Sequence, residues 1–185
     1  MKRNKVNCSR ILLLNTGGIG FISEERSKET LKMERLKQIT INYNIDLPCL
    51  TELNKDSRAI KQDNTIWNGT SRWKENRRVQ VSNNVTKPST GSNQIGGTAM
   101  VAFDDIVFNI CDQGKDERNL GRWSYISING KNDVITTFIT CYCPVRSSST
   151  GSNYSQQLIY IAENRSNIPP DIVCPRQLYG VDLKK

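Results

Sequence analysis

Residues 45–55 read Ile-Asp-Leu-Pro-Cys-Leu-Thr-Glu-Leu-Asn-Lys, and the interpretation of the whole chain starts from this stretch. Its apolar half predicts a strand that is buried on both faces, as the strands of a parallel sheet are. The strand surfaces at Glu52, and the sites of α/β proteins lie at the open ends of such strands. We therefore expect Glu52 to carry chemistry. The alternative is a charged residue that only marks the end of a strand.

A strand-helix-strand unit accounts for the first third of the chain. The apolar run at residues 11–14 predicts a buried strand that ends at Asn15, and a glycine turn follows it. Apolar residues recur at helical spacing over residues 27–43, before the strand at residues 45–53. Such units join parallel strands, whose carboxyl ends lie at the same edge of the sheet. Asn15 and Glu52 are therefore expected side by side, where an amide and a carboxylate suit a hard cation and a phosphate oxygen.

The second half of the chain reads as short strands. Residues 99–103 and 106–111 predict one antiparallel pair. Residues 121–128 and 134–142 predict a second pair, joined by a turn at Asn129-Gly130. The last strand ends at Tyr142, just before a proline that stops further pairing, so Tyr142 is a third polar residue at a strand end.

The remaining segments contribute less to the prediction. We expect a mobile loop at residues 83–95, within a single domain that covers residues 1–185. A helix is predicted at residues 154–163, with its apolar residues on one side.

Positive charge is the main compositional signal. The chain has 26 lysine and arginine residues against 18 acidic residues, a net charge of +8, which favours polyanionic partners. Basic and aromatic residues alternate between residues 55 and 78, a combination that binds phosphates and stacks on bases. The alternative is a solvated loop with its two tryptophans packed underneath. The predicted nucleic-acid-binding residues are Trp67, Arg72, Trp73, Lys74, Arg77 and Arg78.

Several absences exclude function classes. The sequence has no histidine, which rules out Ser-His-Asp and Cys-His catalysis and histidine-ligated zinc within these residues. Its six cysteines never form a Cys-x-x-Cys pair. No secretion signal or membrane-spanning run is visible, so we expect an intracellular protein, cytoplasmic or nuclear, with reduced cysteines and no membrane partner.

Short motifs in a fixed order add a family resemblance to this interpretation. The chain resembles the endonuclease/exonuclease/phosphatase superfamily, which includes deoxyribonuclease-I-like and apurinic-endonuclease-like enzymes. Within that superfamily it is most similar to the endonuclease domains of retroelement-like open reading frames. The motifs are Leu14-Asn15 with its glycines, Leu50-Thr51-Glu52-Leu53-Asn54, Gly96-Gly97-Thr98, Gly121-Arg122-Trp123-Ser124 and Tyr142-Cys143-Pro144.

The resemblance implies a four-layered α/β sandwich and magnesium-dependent hydrolysis of phosphoester bonds. By position, Glu52 matches the family's Mg²⁺ ligand. Asn15 matches an asparagine that helps to organise the site, and Tyr142 matches a tyrosine that contacts the phosphate. The expected partner is nucleic acid, with DNA preferred to RNA, although the fold also carries enzymes that act on small phosphoesters.

The sequence also departs from the family pattern. By the resemblance, the family's Gly-Asp-x-Asn strand and its terminal aspartate-histidine pair would follow Lys185, so we expect these residues to lack the C-terminal part of the sandwich. One carboxylate is a poor metal site, and missing strands would leave unpaired edges and exposed apolar faces. We therefore expect an N-terminal fragment of a Mg²⁺-dependent phosphodiesterase that is inactive, or nearly so, alone. The alternatives are a non-catalytic, basic nucleic-acid-binding remnant and an α/β protein with no nucleic-acid role.

Overall fold

The computed structural model of the chain describes residues 8–19, 28–55, 65–85 and 96–142. These residues form two sheets, a long helix and several short helical turns. In chain order the elements are β1 Ile11–Asn15, α1 Lys28–Asn42, β2 Leu47–Thr51, α2 Ile66–Gly69, β3 Arg77–Ser82, β4 Thr98–Phe103, α3 Asp105–Phe108, β5 Ile110–Lys115, β6 Trp123–Asn129, a 3-10 turn Lys131–Asp133 and β7 Ile135–Cys141.

The first sheet has four strands in the order β1-β2-β4-β3, and the second has three in the order β5-β6-β7. Strands β1 and β2 are parallel, which confirms the predicted crossover through α1. All other pairs are antiparallel.

The core lies on both faces of the first sheet. Along β4, Val101 and Phe103 pack on the side of α1, whereas Met100 and Ala102 pack towards the second sheet. This alternation follows from the pleat, which points successive side chains to opposite faces. The described layers are therefore helix, sheet and sheet, and the central strand β2 is buried on both faces as predicted.

Strand β1 is less buried than the sequence predicted. Leu12 and Leu14 pack against the core on the α1 side. Ile11 and Leu13 point the other way and are 45% and 71% exposed. The reason is position in the sheet, because β1 is an edge strand and no element among the described residues covers its other face.

The predicted pairing of residues 99–103 with residues 106–111 is wrong. Asp104 has a φ of 52°, and the short helix α3 that follows buries Ile106 in the core. The chain thereby leaves the first sheet after β4, and β5 starts the second sheet. Compact connections of this kind cannot be distinguished from hairpin turns by residue type alone.

The hairpin of β6 and β7 is confirmed, but its turn is not the predicted one. Gly130 has a φ of −94°, and the connection runs through the 3-10 turn to Val134. The Gly130 amide donates to the Val134 carbonyl oxygen over 2.7 Å. The loop is thus longer than an Asn-Gly turn, whose residues would both need positive φ.

Part of the predicted loop at residues 83–95 is held in place. Asn84 is buried and forms an isolated bridge with Leu120. Residues 86–95 lie outside the described residues, as does the predicted helix at 154–163. The extent of the domain stays a prediction. No helix in the described part of the chain is long and apolar enough to cross a membrane.

Candidate functional site

Asn15 and Glu52 lie at the ends of neighbouring parallel strands, as predicted. Asn15 pairs with Thr51, the residue before Glu52. Beyond the strand, the Thr16 amide donates to the Thr51 carbonyl oxygen over 2.9 Å. The Thr16 hydroxyl donates to the same oxygen over 3.0 Å and to the Glu52 carbonyl oxygen over 2.8 Å. These bonds fix the two strand ends relative to each other.

Glu52 is held in a strained backbone conformation. Its φ is 55°, a region that costs a residue with a side chain about 1–2 kcal/mol. Its carbonyl oxygen accepts from the Gly18 amide over 2.8 Å and from the Thr16 hydroxyl. The half-buried carboxylate has no hydrogen bond or ion pair with the residues that the structure describes. Strain that is maintained by neighbours occurs at functional sites more often than elsewhere.

Backbone hydrogen bonds extend this edge to the start of β4. The Leu53 amide donates to the Gly97 carbonyl oxygen over 3.2 Å, and the Asn54 amide donates to that of Gly96 over 2.8 Å. In return, the Gly96 amide donates to the Asn54 side-chain oxygen over 3.0 Å. The segments that contain Glu52 and Gly96-Gly97 therefore form one connected unit.

Tyr142 joins the same edge. Its amide donates to the Arg122 carbonyl oxygen over 2.7 Å, and the Arg122 guanidinium lies 5.7 Å from the centre of its ring. The ring packs on Gly96, where a Cβ would stand 3.4 Å from two ring carbons. The structure thus places Asn15, Glu52 and Tyr142 at one edge, although Tyr142 is mostly buried.

The position before Arg122 requires a glycine, Gly121, because backbone segments approach each other closely there. Its φ is 68°, and a Cβ there would lie 2.6 Å from the Asn84 backbone nitrogen. The Gly97 amide donates to its carbonyl oxygen over 3.1 Å. Only a residue without a side chain allows these three backbone segments to approach so closely.

Asp116 is a buried residue that was not predicted from the sequence. Its two carboxylate oxygens accept from the backbone amides of Arg118 and Arg122, each over 3.1 Å. These bonds stabilise the turn that places Gly121 and Arg122 at the edge. The available signal was an aspartate in a turn-forming context, since aspartate side chains commonly bond to nearby backbone.

Lys32 is the second missed residue. Its ammonium group donates to the carbonyl oxygens of Thr16, Gly17 and Gly18 over 3.0, 2.9 and 2.9 Å. The Asn15 side-chain oxygen accepts from the Gly17 amide over 2.9 Å. Helix α1 therefore clamps the turn that follows β1. In the sequence, Lys32 is one of several charged residues of α1, and no local pattern distinguishes it from the others.

Two of the predicted nucleic-acid-binding residues contact other parts of the protein, Trp73 in the core and Lys74 at its partly buried border. Trp73 is 7% exposed and stacks on Phe103 with ring centres 6.2 Å apart. The Lys74 ammonium binds Asp104 at 2.9 Å and lies 3.8 Å from Asp46. Stacking on a base needs an exposed ring and a phosphate needs an accessible cation. The packed alternative therefore fits Trp73, and Lys74 is held by the two carboxylates.

Of the other four predicted residues, three are exposed and Arg77 is half-buried, and all four lie away from Glu52. Trp67 is 47% exposed, and the Arg77 guanidinium lies 4.9 Å from its ring centre. The Arg78 Nε donates to the Gln113 side-chain oxygen over 3.0 Å, and Arg72 is exposed.

The strand register gives the position of this surface relative to the predicted site. At one end of β3 and β4, Arg77 pairs with Phe103. At the other end, Ser82 pairs with Thr98, and Thr98 pairs with Thr51, the residue before Glu52. Strands β3 and β4 have six residues each, so the two ends of the sheet are about 17 Å apart. The basic residues and the polar edge are therefore separate surfaces.

The residues at the edge fit part of a magnesium site. Among the described residues, no group of three or more acidic, cysteine or histidine side chains lies close enough to hold a metal. Mg²⁺ nevertheless commonly binds through one or two carboxylates, with water and substrate phosphate oxygens completing the shell. Glu52 with Asn15 beside it satisfies that minimum.

Comparison with known proteins links this arrangement to a fold. No protein-family model matches the sequence, and neither does any curated protein. An endonuclease/exonuclease/phosphatase family protein from Leptotrichia buccalis C-1013-b shares 14% identity over 83% of this chain and 61% of its own, with a TM-score of 0.53. An AP endonuclease from Archaeoglobus fulgidus shares 15% identity over 88% of this chain and 53% of its own, with a TM-score of 0.49.

The chain thus spans less than two thirds of the length of either solved protein. Identities this low carry information about the fold alone, and the retroelement origin stays a prediction. The residue motifs of the sequence predict the same superfamily independently of these similarities. The chain has the fold of the endonuclease/exonuclease/phosphatase superfamily, in agreement with that resemblance.

Proposed function

We propose that the edge formed by Asn15, Glu52 and Tyr142 is the N-terminal part of a metal-dependent phosphodiesterase site of the endonuclease type. The conformation of Glu52 carries the proposal, because neighbouring backbone groups maintain its positive φ while its carboxylate has no partner among the described residues. A carboxylate held in this way at a strand end is available to a cation. Nucleic acid is the proposed substrate, with DNA preferred to RNA.

Glu52 would supply a carboxylate oxygen to Mg²⁺. A bound Mg²⁺ polarises a phosphoryl oxygen and makes a bound water more acidic. Asn15 would contact the substrate directly: its side-chain oxygen is occupied by the Gly17 amide, which leaves the amide donors for a phosphate oxygen. The ring of Tyr142 is fixed against Gly96, so its hydroxyl has a defined position from which to contact the phosphate.

The chain is proposed to be inactive, or nearly so, by itself. A single carboxylate neutralises little of the charge that develops during phosphoryl transfer, and loss of several members of a catalytic unit is drastic. The chain covers 61% of the Leptotrichia buccalis protein with a similar fold, which is consistent with a site that needs groups beyond those at this edge.

Metal binding at Glu52 can be tested without activity. Mn²⁺ added to ¹⁵N-labelled protein should broaden the amide signals of Gly18, Glu52, Leu53 and Gly97. Glu52→Gln should abolish this broadening, whereas the control Glu34→Gln, on the exposed surface of α1, should leave it unchanged. Broadening that is centred elsewhere, or that persists in Glu52→Gln, would refute the metal site.

A plasmid assay tests the catalytic part of the proposal. Supercoiled plasmid with Mg²⁺ and a high concentration of the chain should show little or no nicking. Any nicking that does occur should disappear in Glu52→Gln. Nicking that is independent of Glu52 would contradict a site at this edge, and rapid nicking lost in Glu52→Gln would contradict the expected inactivity.

Non-catalytic nucleic-acid binding is the second candidate function. The observation that favours it is the exposed contact of Trp67 with Arg77, at the opposite end of the first sheet.

A further inference from the structure

The exposed indole of Trp67 is mounted on a rigid part of the molecule. Trp67 lies in α2, where the preceding residue, Ile66, is 4% exposed in the core. The Thr70 hydroxyl donates to the Ile66 carbonyl oxygen over 2.8 Å, and Thr65 accepts from the Asn68 amide at the start of the helix. Trp73, just after this helix, stacks on Phe103. Anchors on both sides therefore hold α2 while Trp67 faces solvent.

Arg77 completes a stacking surface with Trp67. Its guanidinium lies 4.9 Å from the ring centre, within the range of a cation-π interaction. The contact restricts the indole further, while nearly half of the residue's surface, 47%, stays exposed. A large aromatic side chain that is exposed and already ordered loses little freedom when a flat ligand stacks on it.

The charges around this pair favour an anionic ligand. Arg72 is exposed on the same stretch of chain as Trp67 and Arg77, and it has no ion pair with the described residues. The carboxylates of Asp46 and Asp104, which flank β2 and β4, lie 3.8 and 2.9 Å from the Lys74 ammonium and are partly neutralised by it. Arg78 follows Arg77 in β3, so its side chain points to the opposite face of the sheet, where it donates to Gln113 of β5.

We propose that Trp67, Arg72 and Arg77 form a binding surface for single-stranded nucleic acid, separate from the edge that contains Glu52. An unpaired base stacks on Trp67, and the arginines contact the phosphates on either side of it. We expect a preference for single strands because their bases are free to stack on a side chain, whereas the bases of a duplex are stacked on each other. The surface lies at the opposite end of β3 and β4 from Glu52, so it holds a strand away from the proposed hydrolytic site.

This inference does not depend on hydrolysis at Glu52. Binding is measured in EDTA, so a failure of metal binding or nicking leaves the result interpretable. Conversely, loss of the surface would leave the Mn²⁺ broadening at Glu52 intact.

Fluorescence anisotropy of a labelled oligothymidylate at low salt tests the surface. Trp67→Ala and Arg77→Ala should each weaken binding by about fivefold or more, the smallest effect expected for a lost stacking contact. Trp67→Phe should retain most of the affinity, since it keeps an aromatic face. Arg72→Ala should reduce the dependence of affinity on salt, because a phosphate contact is lost.

A matched control separates this surface from general charge. Arg35→Ala removes an exposed arginine from α1 and should leave binding nearly unchanged. The proposal is overturned if Arg35→Ala weakens binding as much as Arg77→Ala, if Trp67→Ala binds like the unaltered protein, or if duplex DNA competes as well as single strands.

A second measurement uses the unaltered protein, in case Trp67→Ala does not fold. Irradiation with an oligonucleotide that contains 5-bromodeoxyuridine should cross-link the base to the peptide that contains Trp67, as located by mass spectrometry. Cross-links confined to other peptides would overturn the proposal.

Discussion

Replacing Lys32 with methionine removes an ammonium group that donates to three carbonyl oxygens in the turn after β1, those of Thr16, Gly17 and Gly18. Methionine keeps the helix propensity of lysine and much of its apolar stem, so the change isolates these hydrogen bonds. Hydrogen bonds to charged groups contribute about 1.5–3 kcal/mol each when they are buried. The carbonyls of this turn can bond to water instead, so we expect a total loss of about 1–2 kcal/mol.

The control for Lys32→Met is Lys37→Met on the same helix. Lys37 lies 4.0 Å from Glu34 in a solvent-accessible pair with spacing i, i+3, and such pairs contribute less than about 0.5 kcal/mol. Urea unfolding, followed by circular dichroism, measures the free energy of unfolding of both variants. The difference between them should be about 1 kcal/mol.

Hydrogen exchange shows whether the effect of Lys32 is local. The amides of Gly18 and Ile19 donate to the carbonyl oxygens of Glu52 and Leu53, over 2.8 and 3.0 Å. Both should exchange faster in Lys32→Met and not in Lys37→Met, because the clamped turn opens more often. Equal losses of stability in the two variants, or unchanged exchange at Gly18 and Ile19, would refute the clamp.

Three further predictions concern the strained and hydrogen-bonded residues. Glu52→Gly should stabilise the protein by about 0.5–1 kcal/mol in urea unfolding, because glycine adopts a φ of 55° without strain. It should also abolish the broadening of amide signals by Mn²⁺. Glu52→Ala should abolish the broadening without stabilising the protein. Gly121→Ala should cost about 2 kcal/mol or more in urea unfolding, since its Cβ would meet the Asn84 backbone at 2.6 Å; a cost below about 0.5 kcal/mol would contradict the close approach. The hydrogen bond from the Tyr125 hydroxyl to Asp112 raises the pKa of Tyr125. This bond therefore stabilises the fold at pH below 10, and the stabilisation is lost as the pH rises through the raised pKa. In an absorbance titration, Asp112→Asn should lower the pKa of Tyr125.

The sequence predicted the first third of the chain well because its signals are local. The apolar run of β2 and the periodic stripe of α1 each identify an element without reference to the rest of the chain. The direct connection between them then implies parallel strands, and this places Asn15 next to Glu52. Edge and central strands share the same local pattern, however, so the exposure of Leu13 could not be anticipated.

Contacts between residues that are distant in the chain could not be predicted. Strand β3 was not predicted, because its two leading arginines favoured a basic surface over a strand. Trp73 stacks on Phe103, and Lys74 binds Asp104, about thirty positions along the chain, and no local pattern indicates either contact. Lys32 acts on a turn that precedes its helix, and nothing in the spacing of surface charges indicates such a contact.

Backbone hydrogen bonds, and not the proposed catalytic side chains, hold the edge together. The Leu53 and Asn54 amides bond to the start of β4, the Gly97 amide bonds to Gly121, and the Tyr142 amide bonds to Arg122. Substitution of the Glu52 carboxylate therefore leaves these backbone contacts in place, whereas substitution of Asn15 also removes the hydrogen bond from the Gly17 amide. The same scaffold orients β4, whose far end carries the neighbours of Trp67 and Arg77. The proposed metal site at one end of the sheet and the proposed nucleic-acid-binding surface at the other can consequently be tested independently, by single substitutions at each end.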